Sequence, residues 1–278
     1  MDNNKEYLYI DYSKHENSDN SYQSQFKVSK ASKIDYLINE KEYDRALSEI
    51  DKLLQKDDSN YEYLHLKAII LDKLSEYEKA VEYYNGALNY NSSDEITSNK
   101  ANTLYKWAKI TYFPEMNYEK ALDLVNESLK IIPDDEDASE HYFLKGEILE
   151  ALMRPVEAKK SYLIAYKEFD KLEELEKQVE FLNTSEDTLI NITGTNFYDF
   201  TAEKDLTVNL IREEDNEHDS DAIAIEFDGK KVGYVANSSY TLIDEVKSAS
   251  DIKNLIKQNQ KAQILFIYLD EYIIAKLI

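Results

Sequence analysis

The sequence contains no cysteine, only five glycines and three prolines, and no long apolar run. Without cysteine there is no disulfide framework, thiolate metal site or cysteine nucleophile, and a reducing compartment is the natural setting. Scarce glycine and proline argue against long flexible linkers. A membrane-spanning helix needs about eighteen or more consecutive apolar residues, and none is present. The first residues lack a basic start and an apolar stretch, so no secretory signal is expected and a cytoplasmic location is.

Chemistry-bearing patterns are equally sparse. His15, His65, His141 and His218 stand far apart, with no H-x-x-x-H or HExxH spacing, so no metal site is expected. There is no phosphate-binding loop, no GxGxxG and no GxSxG elbow. The run Asp215–Asp221 has a superficial calcium-loop look but lacks the glycine and the closing acid. No enzyme active site and no cofactor are expected. Basic residues are also in deficit, 33 Lys and Arg against 56 Asp and Glu, a formal charge of −23. That field repels phosphate backbones and anionic lipid at long range.

What is present is repetition. The phrase aromatic–acid–x–Ala occurs at Tyr43–Ala46, Tyr77–Ala80 and Tyr118–Ala121, and in weaker form at Val156–Ala158. The four alanines are 34, 41 and 37 residues apart. Four residues after each comes Ile50, Tyr84, Val125 or Tyr162, and seven after comes Leu53, Ala87, Ser128 or Ala165, a helical face. A period near 34 with two helices per unit resembles the tetratricopeptide (TPR) repeat, and Pro133 sits where such repeats end a helix. Seven extra residues in the third unit are expected to lengthen its first helix or the turn after it. Stacked units leave a concave groove lined by their first helices. Asp35, Asp72, Glu147 and Glu150 fall on or near that face, where they would either hold a basic peptide or form a solvated acidic surface.

The texture changes near Ser185. Strands are expected at Leu189–Thr193, Thr207–Arg212, Ala222–Phe227, Lys231–Val235, Gln263–Leu269 and Tyr272–Leu277. Asp228-Gly229 has favoured hairpin chemistry, and Asp270-Glu271 is expected to make another tight connection. Two helices, Ser239–Val246 and Asp251–Gln258, are expected between the fourth and fifth strands. The expected fold is therefore α then β: a TPR-type solenoid followed by a small OB-like β-barrel with two short helices. Residues 1–30 form a polar tail expected to be largely disordered, 31–170 the repeats, 171–186 a capping helix and 187–278 the barrel.

Several separated pieces in the barrel region agree in order and spacing. They are Gly194-Thr195-Asn196-Phe197-Tyr198, Arg212-Glu213, Asn216-x-x-Asp219, Ala222-Ile223 and Val232-Gly233-Tyr234. In this, residues from about Thr188 to Ile278 resemble the HIRAN family. The resemblance implies an OB-like barrel that grips the 3′ end of single-stranded DNA, as found on DNA translocases of the helicase-like transcription factor type. Phe197 and Tyr198 correspond to paired aromatics that stack on bases. Asn216, His218 and Asp219 correspond to the loop that holds the end, with Asp219 receiving the terminal hydroxyl and His218 standing where DNA-binding members have Tyr. Tyr234 corresponds to a ligand-facing position, and Tyr272 loosely to a late aromatic.

Departures from that pattern are plain. Asn237 stands where a DNA-binding member has Lys, and Asn196 where it has Arg. From Thr188 onward there are 16 acidic against 9 basic residues. Read from the residues themselves, the stretch is a loop latched by polar side chains. Arg212 would pair with Asp219 or Asp221, Asn216 and Asp219 would hold the turn, and Gly233 would admit a strand or a ligand. The translocase motor is absent. Two functions are expected: an adaptor whose repeats bind a protein and whose barrel recognises a DNA end in repair or replication, or a pure protein-interaction scaffold without nucleic-acid binding.

Overall fold

The computed structural model describes residues 30–257 and 259–278. The polar tail expected over residues 1–30 lies outside the described residues except for Lys30, which opens the first helix. The chain divides into two compact units, the first running to Thr103 and the second Leu104–Ile278.

The helices come in pairs. They are α1 (Lys30–Asn39), α2 (Tyr43–Leu54), α3 (Tyr61–Lys73), α4 (Tyr77–Tyr90), α5 (Asp94–Tyr112), α6 (Tyr118–Ile131), α7 (Ser139–Ala151), α8 (Pro155–Ala165) and α9 (Phe169–Thr184). Their starts have local causes. Asn60 Oδ1 accepts from the Glu62 and Tyr63 amides at α3, Asn117 accepts from the Lys120 amide at α6, and Pro155 occupies the first turn of α8. The extra length of the third unit goes mostly into α5, which has 19 residues against 13 in α3 and α7, and the turn that follows it, residues 113–117, is longer as well.

The turns within pairs share one device. Lys41, Ser75, Met116, Met153 and Lys167 all have positive φ, between 54° and 61°. At Lys41 the following amide, Glu42, bonds back to Leu37, five residues earlier, and the same closure recurs from Glu76 to Leu71, Arg154 to Leu149 and Glu168 to Leu163, with a version one residue wider from Asn117 to Thr111. These are left-handed helix caps built without glycine. The repeated alanines and aromatics form the cores. In the first unit Ala68, Ala80, Ala87 and Tyr84 pack with Leu64, Leu71 and Ile96. Small residues let the helices approach and the tyrosine fills the space between them.

The second unit ends in a closed antiparallel barrel ordered β1-β4-β3-β2-β5-β6. Its strands are β1 (Leu189–Thr193), β2 (Thr207–Arg212), β3 (Ile223–Phe227), β4 (Lys230–Val235), β5 (Lys261–Tyr268) and β6 (Tyr272–Leu277). The inward residues Ile190, Ile192, Val208, Leu210, Ile223, Ile225, Val232 and Ile264 make its interior. Asp228 and Gly229, at φ 49° and 73°, form the expected hairpin turn. The last turn differs by one residue. Leu269 and Asp270 carry the positive φ values, and the Glu271 amide donates to the Tyr268 carbonyl. The apolar Leu269 is held there by packing beside α9.

The expected helix over Ser239–Val246 is absent. The Thr241 carbonyl that would accept within such a helix is taken instead by the buried Asn191 side chain at 2.7 Å. The second expected helix is displaced and short, α10 (Ala249–Ile252), because a Ser248–Asp251 capping box fixes its start ahead of Asp251.

The barrel has a second core on its outside. Leu189, Tyr268 and Ile274 face outward and pack with Leu163 of α8, Leu175 and Leu182 of α9, and Val246. Phe181 of α9 meets Phe266 edge-on at 6.0 Å between centroids. Lys159 pairs with Asp270, adding an ionic tie between α8 and the last hairpin. Helix α9, expected as a solvent cap, is thus a wall shared with the barrel.

Candidate functional site

The helical part of the second unit carries one face rich in phenols and carboxylates. Glu140, Phe143, Glu147 and Glu150 follow one stripe of α7, at spacings of three and four. Tyr105 and Tyr112 come from α5 and Tyr162 from α8. The Tyr162 hydroxyl donates to Glu150 at 2.9 Å, and its ring lies 5.4 Å from Phe143. The Tyr105 and His141 rings lie 4.6 Å apart, tilted by 42°. Burial pushes the phenols of Tyr105, Tyr112 and Tyr162 above the ordinary tyrosine range, and negative charge pushes them further, that of Glu140 at Tyr105, Glu147 at Tyr112 and Glu150 at Tyr162, with Glu147 adding to the first and last. No basic side chain among the described residues forms an ion pair with Glu147 or Glu150. A site of this make-up lowers the energy of a cation, through carboxylate pairing and through ring faces.

A pocket of about 310 Å³ lies at the edge of the same helices, lined by Tyr142, Ile164 and Phe169, with Asp135 and Asp137 on its rim. Lys167 reaches Asp137 at 3.3 Å. The Ser139 hydroxyl and amide, then Lys167, hold the Asp137 carboxyl down to about 2.

In the first unit the acidic residues divide. Asp35 is exposed on α1 and close enough to His65 and Glu95 to interact with both charges. His65, half-buried on α3, is held below its ordinary pKa mainly by burial and lies 3.0 Å from the Asn99 amide. Asp72, expected on the groove, is only 8% exposed and accepts the Thr103 hydroxyl at 2.9 Å. It holds α3 against α5 and is not a groove residue.

The barrel brings two of its three aromatics together. The Tyr198 and Tyr234 rings lie 6.5 Å apart, while Phe197, the last residue of a turn of 3-10 helix, is 90% exposed. The Tyr234 hydroxyl donates to Glu213 at 3.2 Å, while Lys231 pairs with Glu213 and lies over the Tyr234 ring.

The neighbouring loop is latched from within. Asn216 Oδ1 accepts the backbone amides of His218 and Asp219 at 3.0 and 3.1 Å, and its amide donates to Glu213. Asp219 uses one oxygen for the Asp221 amide and the other for Asn237, at 2.8 Å each. Asn237 in turn accepts from the Ser250 amide and hydroxyl. Asn216, Asp219 and Asn237 thus spend their polar atoms on the loop, while His218 is exposed there together with Glu217 and Ser220. Arg212 pairs with Glu214 at 3.5 Å, not with Asp219 or Asp221; Lys253 takes Asp221. The cause is direction, since Arg212 ends β2 beside the exposed Glu214. A Cβ at Gly233 would sit 2.7 Å from the Thr193 carbonyl, so the glycine admits strand β1. Tyr272 packs against the α9 side of the barrel, away from the trio.

The architecture is a TPR-type helical array followed by a small closed β-barrel. The chain is similar to the DnaJ homolog subfamily C member 7 homolog of Dictyostelium discoideum, 29% identical over 121 residues, which cover 42% of this chain and 22% of that protein. The chain thus spans under a quarter of that relative's length. Among solved structures it is similar to the MamA RS-1 ArsTM double mutant, with TM-score 0.35 and 18% identity over 49% of this chain and 75% of that one. It is also similar to YrrB, described as a TPR protein with an unusual peptide-binding site, with TM-score 0.33 and 18% identity over 56% and 86% of the two chains. No family model matches the chain.

Proposed function

We propose that the chain is a non-enzymatic, cytoplasmic adaptor whose helical repeats hold a basic segment of a partner protein. The observation that carries this reading is the Glu140–Phe143–Glu147–Glu150 stripe of α7, with the Tyr162 hydroxyl on Glu150 and the Phe143 and Tyr162 rings beside each other. Carboxylates and rings converge there, and among the described residues no basic side chain forms an ion pair with Glu147 or Glu150. A lysine or arginine from a partner would supply it. The excess of acid over the whole chain would steer such a partner in. The test is binding of short lysine-rich, neutral and glutamate-rich peptides to the full chain, followed by fluorescence anisotropy at low and high salt. Lysine-rich peptides should bind, weaken with salt, and lose about tenfold in affinity with Glu147→Gln. Equal binding of all three peptides would sink the reading.

A second reading concerns the barrel, favoured by the exposed Phe197 beside the Tyr198–Tyr234 pair. Flat side chains on an open surface stack on bases of any sequence. A HIRAN-like barrel would use them to recognise a single-stranded DNA 3′ end in repair or replication. The engagement of Asp219 and Asn237 within the loop and the acid excess weigh against it. Labelled single-stranded DNA with free and blocked 3′ ends, offered to the full chain at low salt, separates the cases. Binding that needs the free end and fails in Tyr198→Ala supports end recognition. Absence of binding leaves a protein-interaction scaffold.

A further inference from the structure

The acidic face and the edge pocket of the second unit are joined by aromatic side chains. From Glu150 the path runs to Tyr162 at 2.9 Å, from Tyr162 to Phe143 at 5.4 Å between centroids, and from Phe143 to Tyr166 at 6.1 Å. Tyr166 immediately precedes Lys167, which lines the pocket together with Tyr142, Ile164 and Phe169. Phe143, Tyr166 and Phe169 are all exposed large hydrophobics. Isolated exposed aromatics are ordinary, but a run of them ending in a concavity marks a contact surface.

We infer that the partner segment is bipartite, with a lysine or arginine seated among Glu147, Glu150 and the tyrosines and a bulky apolar side chain seated in the 310 Å³ pocket. This rests on the basic-segment reading and adds a second anchor to it. Charge selects the occupant. The lining combines Tyr142, Ile164 and Phe169 with three acids, Asp135, Glu136 and Asp137, against the single cation Lys167, so an apolar residue flanked by basic rather than acidic neighbours fits it. The spacing follows from α7 itself. Tyr142 precedes Glu147 by five residues and Glu150 by eight, about 7.5 to 12 Å along the helix axis and about 140° and 80° around it. An extended chain covers the resulting ~12 to 14 Å in about four residues. The segment therefore crosses α7 obliquely, past the aromatic rungs Tyr162, Phe143 and Tyr166.

The experiment uses the full chain and two short labelled peptides on a Gly/Ser background. One carries Lys and Leu about four residues apart; the other has Ser in place of Leu. The Leu peptide should bind about tenfold tighter. Phe169→Ser, at an exposed site, should abolish that advantage while leaving the Ser peptide unchanged. Equal binding of the two peptides, each weakened by Glu147→Gln, would overturn the apolar anchor and leave the basic-segment reading standing. A Leu advantage that survives Phe169→Ser would also overturn it. Binding of neither peptide would sink both.

Discussion

Gly146 of α7 and Tyr162 of α8 are a matched pair: a Cβ on the glycine would lie 2.5 Å from Cε1 of the ring. Helix-interior glycine costs about 1 kcal/mol of propensity against alanine, so its presence needs a packing reason. The ring that fills the space is the one whose hydroxyl reaches Glu150. Gly146→Ala gains propensity but must displace Tyr162, and overpacking of this kind costs about 1–3 kcal/mol. The variant should be less stable by about 1 kcal/mol net, read as a lowered urea midpoint at unchanged slope. It should also bind lysine peptides more weakly, since the phenol moves off its carboxylate.

The left-handed caps offer the opposite change. Met153 holds φ 57° and is almost fully exposed, so its side chain contributes little to set against backbone strain. Met153→Gly should stabilise the fold by up to about 1 kcal/mol, less what glycine adds to unfolded-state entropy. Thermal unfolding checks this; a fall in midpoint would show that the methionine packs usefully at the turn.

Asp137 gives a pH signature. Its folded carboxyl is held down to about 2, while an unfolded aspartate titrates near ~3.9. Its contribution is present above the unfolded value and is lost as pH falls through the folded one. Asp137→Asn should melt earlier than the parent at pH ~6, and the gap should close as pH is lowered toward about 2. A gap independent of pH would mean that the Ser139 and Lys167 contacts contribute nothing through charge.

The barrel should not survive excision. Cutting at Ser185 would strip α8 and α9 from Leu189, Phe266, Tyr268 and Ile274, baring an apolar face. A fragment of residues 185–278 should aggregate or bind hydrophobic dye, while one beginning before α7, which keeps the α7–α8 pair together, should do so much less. Limited proteolysis of the intact chain should release α7, α8, α9 and the barrel together.

Much of the fold was readable in the chain because its signals are local. The alanine–aromatic spacing placed the helix pairs, and β1, β2 and β6 fall on their expected residues. What failed depended on tertiary partners. Ser239–Val246 has helical periodicity, but the Asn191 side chain, about fifty positions away in sequence, claims its carbonyl. Asp72 looked like a groove acid until Thr103 was seen to cover it. The Asn216–Asp219 latch was legible from turn chemistry; the choice of Glu214 over Asp219 by Arg212 was not. The tyrosines around Glu147 were missed because they lie on three helices, although the Glu140–Phe143–Glu147–Glu150 stripe was already in the sequence.

The outer core between α9 and the barrel limits how such a protein can change in length. A helical array ordinarily grows by duplicating a pair and stacking the copy at either end. Here the outer side of α9 is already committed to Leu189, Tyr268 and Ile274. A pair inserted between α9 and β1 would strand both apolar surfaces at once. Lengthening is tolerable only upstream of α7, so the repeats can diversify on the N-terminal side while α7, α8, α9 and the barrel are inherited as one block.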